Sequence, residues 1–354
     1  MLKLTQGCAA PQSATLSFSH DHDPGITRVR RGKGWSFHLP CGTRIADKAE
    51  LARLAAIAMP PAYQRCWFCV DPQGHIQATG YDARGRKQYR YHPQFRAGQD
   101  ATKYALCAAF GEALPTMRAQ IEAVLTDHTP TNRAPTRERC LAAIVRLLDI
   151  GHFRIGNEQY ARSNRSFGIS TLRKRHVNLH GNSIELSYRG KSGKMQNRIL
   201  HDRALLQIVK GLADLSGQRL FQYVDELGAR HDIGSSDVNR YISEIMGAQF
   251  SAKHFRTWGG TLVAFEAWTD AGGAITLDAV MRQVADELGN TPTISRKSYV
   301  HPAVIAAIKS GKPPSTILQK APRPTKWLQS GERALVAFLR AQDGVPDTRA
   351  AALA

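Results

Sequence analysis

The stretch His176-Val177-Asn178-Leu179-His180-Gly181-Asn182-Ser183-Ile184-Glu185-Leu186-Ser187-Tyr188-Arg189-Gly190-Lys191-Ser192-Gly193-Lys194-Met195-Gln196-Asn197-Arg198-Ile199-Leu200 carries the clearest β pattern in the chain. Short runs of branched and aromatic residues are separated by Gly/Asn and Gly/Ser clusters, the signature of successive hairpins. The spacing predicts strands at 176–179, 184–188 and 195–200, with turns at 180–182 and 190–193. Helical sequence flanks this meander on both sides, so the carboxy-terminal part of the chain reads as a mainly helical domain with a small sheet inside it. Lys191 falls at the tip of the second hairpin. A lysine in such a turn is ordinarily a solvated charge, but a hairpin tip also lets a long cation reach a groove that the sheet itself cannot enter.

Upstream, residues 101–113 and 117–125 place apolar side chains every three or four positions. Asp127-His128-Thr129-Pro130-Thr131-Asn132-Arg133-Ala134-Pro135 breaks that run. A strongly apolar helix over 136–149 stops at Gly151 and leads directly to Arg154. Downstream, helices are expected at 203–212 and at 235–246, the second capped by Ser236-Asp237. Another begins at Ser251-Ala252-Lys253-His254-Phe255-Arg256-Thr257-Trp258-Gly259-Gly260, where Lys253 and Arg256 share a helical face and the Gly pair permits close backbone approach. An apolar run through Ala279, Val280, Val284 and Leu288 ends at Gly289-Asn290-Thr291-Pro292. A polar, basic stretch then delivers Tyr299, and a helix can resume over 303–308. A phenol ionises near pH 10, so it is a useful nucleophile only where cations stabilise the phenolate or a base takes its proton. The alternative is a tyrosine packed at a helix end.

The first third has a different character. Residues 1–24 read as a flexible leader, with His20-Asp21-His22-Asp23 a polar tail in preference to a metal site. Strands are expected within 28–39, at 66–70 and at 75–79, and a helix over 47–58. Cys66-Trp67-Phe68-Cys69 has no second pair at a zinc spacing and reads as buried, reduced thiols. Gly80-Tyr81-Asp82-Ala83-Arg84-Gly85-Arg86-Lys87-Gln88-Tyr89-Arg90-Tyr91-His92 is a loop of Asp, Gly and cations feeding a strand, with Gln88 and Arg90 on one face and Tyr89 and Tyr91 on the other. Cations beside aromatics suit phosphates and bases, although the same cations would also protect an edge strand from aggregation. The expected organisation is a β-rich DNA-binding domain at 25–100, a catalytic domain at 101–310, and a basic, Pro-containing linker and tail at 311–354 with one short helix at 331–342. The fold class is α+β.

A net charge of +19 over 354 residues favours a polyanionic partner, nucleic acid first. No apolar stretch approaches the length of a membrane span, and the first 25 residues lack a signal-type segment, so a cytoplasmic, nucleoid-associated protein is expected.

Arg154, Lys191, Arg256, Asn290 and Tyr299, in this order and with these neighbours, resemble the active site of the type IB DNA topoisomerases in the short form of poxviruses and bacteria. Gly74 to Asp82 followed by Arg86-Lys87-Gln88-Tyr89 is similar to the amino-terminal domain of the same family, and the likeness extends from about Gly25 to Pro302. The resemblance implies that Arg154 and Arg256 hold a phosphate, Lys191 is the general acid, Asn290 donates a hydrogen bond and Tyr299 is the nucleophile. It further implies a 3′-phosphotyrosyl intermediate and relaxation of both supercoil signs by rotation and resealing. No ATP, metal or other cofactor is expected, and a monomer would close its two lobes round duplex DNA. Gln88, Tyr89, Tyr91 and Tyr160 match family residues that approach DNA, and Arg84, Lys87 and Lys253 are cations expected to join them. Many relatives carry histidine where this chain has Asn290; an asparagine is only a neutral donor, so no pH dependence is expected from this position. Two rivals remain. Tyrosine recombinases use a similar Arg, Lys, Arg and Tyr set, though the β-rich first third argues against them. A non-catalytic DNA-binding protein would account for the charge but not for the five residues.

Overall fold

The computed structural model describes residues 16–127, 135–311 and 322–342. The expected leader over residues 1–15, most of the loop after Asp127, the linker at 312–321 and the end from 343 onward lie outside the described residues. The chain divides into two compact units, Met1–Thr102 and Lys103–Ala354.

The first unit contains β1 (Ile26–Arg31), β2 (Gly34–His38), α1 (Lys48–Ala56), β3 (Gln64–Phe68), β4 (Ile76–Tyr81) and β5 (Lys87–Tyr91). The strands form one antiparallel sheet in the order β2-β1-β3-β4-β5. Asp47 caps α1 by accepting from the Glu50 N–H, and Leu54 packs with Ile26, Phe68 and Ala78 in a small core. Cys66 and Cys69 are buried free thiols, as the sequence predicts. Residues 16–24 correct the expectation of a flexible leader. The Ser17 N–H donates to the Gln73 carbonyl at 3.0 Å, and the Ser17 carbonyl accepts from His75 at 2.8 Å. Asp21 accepts from the Thr79 hydroxyl and pairs with Lys87. A polar composition hid this because the partners are more than fifty residues away. His20 to Asp23 take part in no group of metal-binding side chains among the described residues.

The helix α2 (Pro93–Ala105) contains the division. The second unit continues with α3 (Cys107–Thr126), α4 (Arg137–Gly151), α5 (Glu158–Asn164), the meander β6 (Val177–His180), β7 (Ser183–Arg189) and β8 (Met195–Leu200), then α6 (Arg203–Asp214). A two-stranded ribbon that the sequence reading missed, β9 (Gln222–Val224) with β10 (Arg230–Asp232), precedes α7 (Ser235–Met246), α8 (Ala252–Asp270), α9 (Leu277–Leu288), α10 (Pro292–Ser298), α11 (Pro302–Ser310) and α12 (Ser330–Gln342). The architecture is α+β, with a small sheet unit and a larger helical unit that encloses short β segments. Helix α4 is its axis: Leu141, Ala142, Ala143, Ile144, Val145, Leu147 and Leu148 are all buried, so the helix is apolar nearly all round and packs against α3, α6, α7 and α8.

Three local expectations need correction. The break expected between 113 and 117 does not occur, because α3 runs through Pro115. Phe110, Leu114, Met117 and Ile121 form one buried stripe, and that burial outweighs the lost backbone bond. At α7 the N-cap is Gly234, whose N–H donates to the Asp237 carboxylate, so Asp237 acts from inside the first turn. The helix expected in the tail is present as α12, and it belongs to the core: Leu335 and Leu339 are buried, and Arg118 on α3 pairs with both Asp149 on α4 and Glu332 on α12.

Candidate active site

Residues 288–302 are held at many points. Gly289 takes a left-handed φ of +61° and closes α9, which any side chain would strain. Thr291 caps α10 and Pro292 occupies its first position, where a missing N–H costs nothing. Tyr299 follows α10 directly, Val300 is buried, and the His301 side chain caps α11 by accepting from the Ala303 N–H. On α8, Thr261 Oγ accepts from the His301 N–H at 3.1 Å. A Cβ on Gly260 would lie 3.0 Å from the Tyr299 carbonyl, and one on Gly259 would lie 2.2 Å from the His152 ring. The Gly pair therefore does permit close approach, to the tyrosine segment on one side and to the end of α4 on the other.

Arg154 is the hub of the cluster. Its Nη1 donates to Tyr299 Oη at 2.9 Å and its Nη2 donates to Asn290 Oδ1 at 2.5 Å. The guanidinium of Arg256 sits 4.9 Å from the centre of the Tyr299 ring. Arg256 is only 5% exposed, and two carbonyls at helix ends hold it: His152 O at 2.5 Å and Leu288 O at 2.9 Å. Lys191 lies on the exposed turn between β7 and β8, where Ser192 and Gly193 take positive φ. It lines a small cleft together with Arg154, Gly190, Gln196, Arg256 and Gly289. Lys194, in the same turn, donates from Nζ to the Asn290 carbonyl at 2.8 Å and so ties the meander to the end of α9.

The electrostatics follow from this packing. Burial pushes the Tyr299 phenol up, but Arg154 and Arg256 beside it more than compensate and bring it down to about 8. Burial, reinforced by the neighbouring Arg154, lowers Arg256 to about 10. Among the described residues no carboxylate pairs with Arg154, Lys191 or Arg256, so their charge is not neutralised internally. Two buried donors are also left without a partner, Arg256 Nε and Asn290 Nδ2. Such groups are costly unless something else completes them. A concave cluster of cations and orphan donors around a low-pKa phenol can accommodate an anion with several acceptor oxygens.

The structure thus brings together all five residues singled out in the sequence. Arg154, Asn290 and Tyr299 are hydrogen-bonded, Arg256 lies against the tyrosine ring, and Lys191 lines the same cleft as both arginines. Tyr160 is exposed on α5. Lys253 is exposed while Arg256 on the same helix is buried, so the basic pair does not act as one surface. In the first unit Arg84 is exposed, Lys87 is paired with Asp21, Gln88 donates to Asp82 at 3.2 Å, and Tyr89 and Tyr91 are exposed and stacked 6.0 Å apart. Sequence reasoning missed His152, Lys194, Gln196 and Glu287. His152 and Leu288 contribute backbone carbonyls, which leave no side-chain signature.

Residues 92–314 match the family profile described as the catalytic core of eukaryotic DNA topoisomerase I, and residues 34–82 match that of the N-terminal domain of bacterial DNA topoisomerase IB. The chain is 31% identical over 302 residues to DNA topoisomerase 1B of Acanthamoeba polyphaga mimivirus, covering 80% of this chain and 88% of that protein. It is 21% identical over 258 residues to DNA topoisomerase I of Monkeypox virus and to DNA topoisomerase 1B of Vaccinia virus (strain Copenhagen), in each case covering 70% of this chain and 76% of the relative. No helix among the described residues is long and apolar enough to cross a membrane. With a phenol of lowered pKa held between two arginines and these matches along most of its length, the chain belongs to the type IB DNA topoisomerase family of enzymes.

Proposed function

We propose that this enzyme relaxes positive and negative supercoils through a transient 3′-phosphotyrosyl break in one strand of duplex DNA. The observation that carries the reading is the Arg154 to Tyr299 hydrogen bond beside Arg256, which lowers the phenol to about 8. About a tenth of it is then phenolate at pH 7. Tyr299 Oη attacks the phosphorus and the bond to the 5′ oxygen breaks, its electron pair staying on that oxygen. Lys191, on the exposed turn that lines the cleft, supplies the proton. Arg154 and Arg256 take up the charge on the non-bridging oxygens, and the unpartnered Nδ2 of Asn290 and Nε of Arg256 become donors to them. The free 5′ end rotates and then attacks the phosphotyrosine by the reverse path. The phosphodiester energy is conserved in the protein link, so ATP is not required, and the cations supply the charge that a metal would bring.

The enzyme acts on duplex DNA as a monomer, with Tyr160 and Lys253 as candidate DNA contacts in the second unit and Arg84, Lys87, Gln88, Tyr89 and Tyr91 as candidate contacts in the first. The site of action is the cytoplasm, at the nucleoid. The test is incubation of supercoiled plasmid with the protein in EDTA without ATP, beside Tyr299→Phe. Relaxation of both supercoil signs by the wild type alone supports the reading. Firm DNA binding without relaxation by either would overturn it, in favour of a recombinase awaiting its site or a binding protein.

A further inference from the structure

Arg256 is a buried cation beside a second cation, and among the described residues no carboxylate pairs with it. Its holders are the carbonyls of His152 and Leu288, at the ends of α4 and α9, where aligned backbone dipoles put partial negative charge. A carboxylate in direct contact would cancel the charge that a phosphate needs. What keeps the two carbonyls aimed at Arg256 lies one layer further out. Glu287 Oε1 accepts from His152 Nδ1 at 3.2 Å, and Glu287 Oε2 lies 3.4 Å from Arg198 Nη1 on β8. Arg198 also donates to the carbonyls of Asp286 and Glu287, gripping the last turn of α9. The His152 residue itself has a left-handed φ of +49°, and its ring fills the space above Gly259, on the same helix as Arg256.

We propose that Glu287 is a positioning residue: by joining His152 to Arg198 it locks the ends of α4 and α9 together, so that their carbonyls hold Arg256 against Tyr299 and facing the scissile phosphate. This rests on the reading of Arg256 as a phosphate ligand. Glu287 touches neither the nucleophile nor the substrate, and it acts through the placement of Arg256.

The test uses the full-length protein and a duplex whose short 3′ fragment dissociates after cleavage, so that one covalent event is read on a denaturing gel. Glu287→Gln is expected to slow covalent-complex formation at saturating DNA about 10-fold, with the half-saturating DNA concentration unchanged. In an Arg256→Ala background the same substitution is expected to cost less than about two-fold, because its route has been removed. A general loss of structure would slow both backgrounds alike, and that result, or an unchanged rate in the wild-type background, overturns the proposal. His152→Asn keeps a residue that tolerates the left-handed backbone and breaks the same contact from the other side, so it decides the matter if Glu287→Gln is poorly folded. It should match the Glu287→Gln loss, and the double variant should be no slower than either; a wild-type rate for His152→Asn again overturns the proposal. Arg256→Ala retaining the wild-type rate would instead remove the reading beneath it.

Discussion

Arg118 and Arg256 both lie inside the helical unit, and they are satisfied in opposite ways. Arg118 is wrapped by two carboxylates: Nε and Nη2 each donate to Asp149 at 2.9 Å, while Nη1 and Nη2 donate to Glu332 at 2.8 and 2.7 Å. Burial opposes its charge, but the two carboxylates outweigh that and push it above its ordinary range. Arg256 has two carbonyls, an orphan Nε and Arg154 for a neighbour, and it is pushed the other way. The first arrangement joins α3, α4 and α12 and leaves none of the arginine's positive charge over for a ligand. The second leaves a cation incompletely satisfied in a cleft. Here the paired charge joins helices, and the one left short faces the cleft beside Tyr299.

The largest expected effect tests what the unpaired cations serve. Tyr299→Phe should lose about 10⁴-fold or more in plasmid relaxation while its melting temperature stays put. Next, Arg256→Ala should lower the single-turnover cleavage rate about 10²- to 10³-fold and cost only about 1 kcal/mol of stability, since two carbonyls lose a donor but no ion pair is broken. Arg118→Ala should do the reverse. Stranding two buried carboxylates costs about 3 kcal/mol in denaturant unfolding, and the cleavage rate of the folded fraction should be unchanged. Equal stability losses for the two arginine variants would break the comparison.

Acidity sharpens it further. With Tyr299 at about 8, the cleavage rate should rise with pH and level off above that value, and Arg154→Ala should move the inflection upward. The folded value lies below the ordinary value near 10, so the linked stability is complete above pH 10 and is lost as pH falls through about 8. Asn290→His should add an inflection on the acid side near 6.5, and an unchanged acid limb would show that this position is electrostatically silent. Smallest of all is a half-buried pair in the sheet unit. Asp21→Asn, which frees Lys87, should shift stability by less than about 1 kcal/mol in thermal unfolding.

Much of this was legible beforehand. The strands β6, β7 and β8 fall where alternation and turn residues put them, and α4 runs from its Thr136 cap to Gly151 as the apolar periodicity predicts. These elements are specified by neighbours in the chain. The course of α3 through Pro115, the docking of residues 16–24 and the inclusion of α12 in the core were not legible, because each depends on partners far away in sequence. Within the site the same division holds. Arg154, Lys191, Arg256, Asn290 and Tyr299 were singled out by their resemblance, in order and neighbours, to the family's active site. The supports of Arg256 were not, since two are backbone carbonyls and Glu287 resembles any other surface carboxylate at a helix end.

The sequence by itself determined the α+β class, the family, the identity of the five residues that the fold brings together, and the basic character of the chain. Local periodicity, turn chemistry and residue type are properties of short segments and net composition, and they survive in the linear text. Only the tertiary structure decided that Arg154 bridges Tyr299 and Asn290, that Arg256 is buried while Lys253 is not, and that the phenol falls to about 8. Acidity and hydrogen-bond completion depend on distances and desolvation, which residues far apart in the chain acquire only when they are packed together.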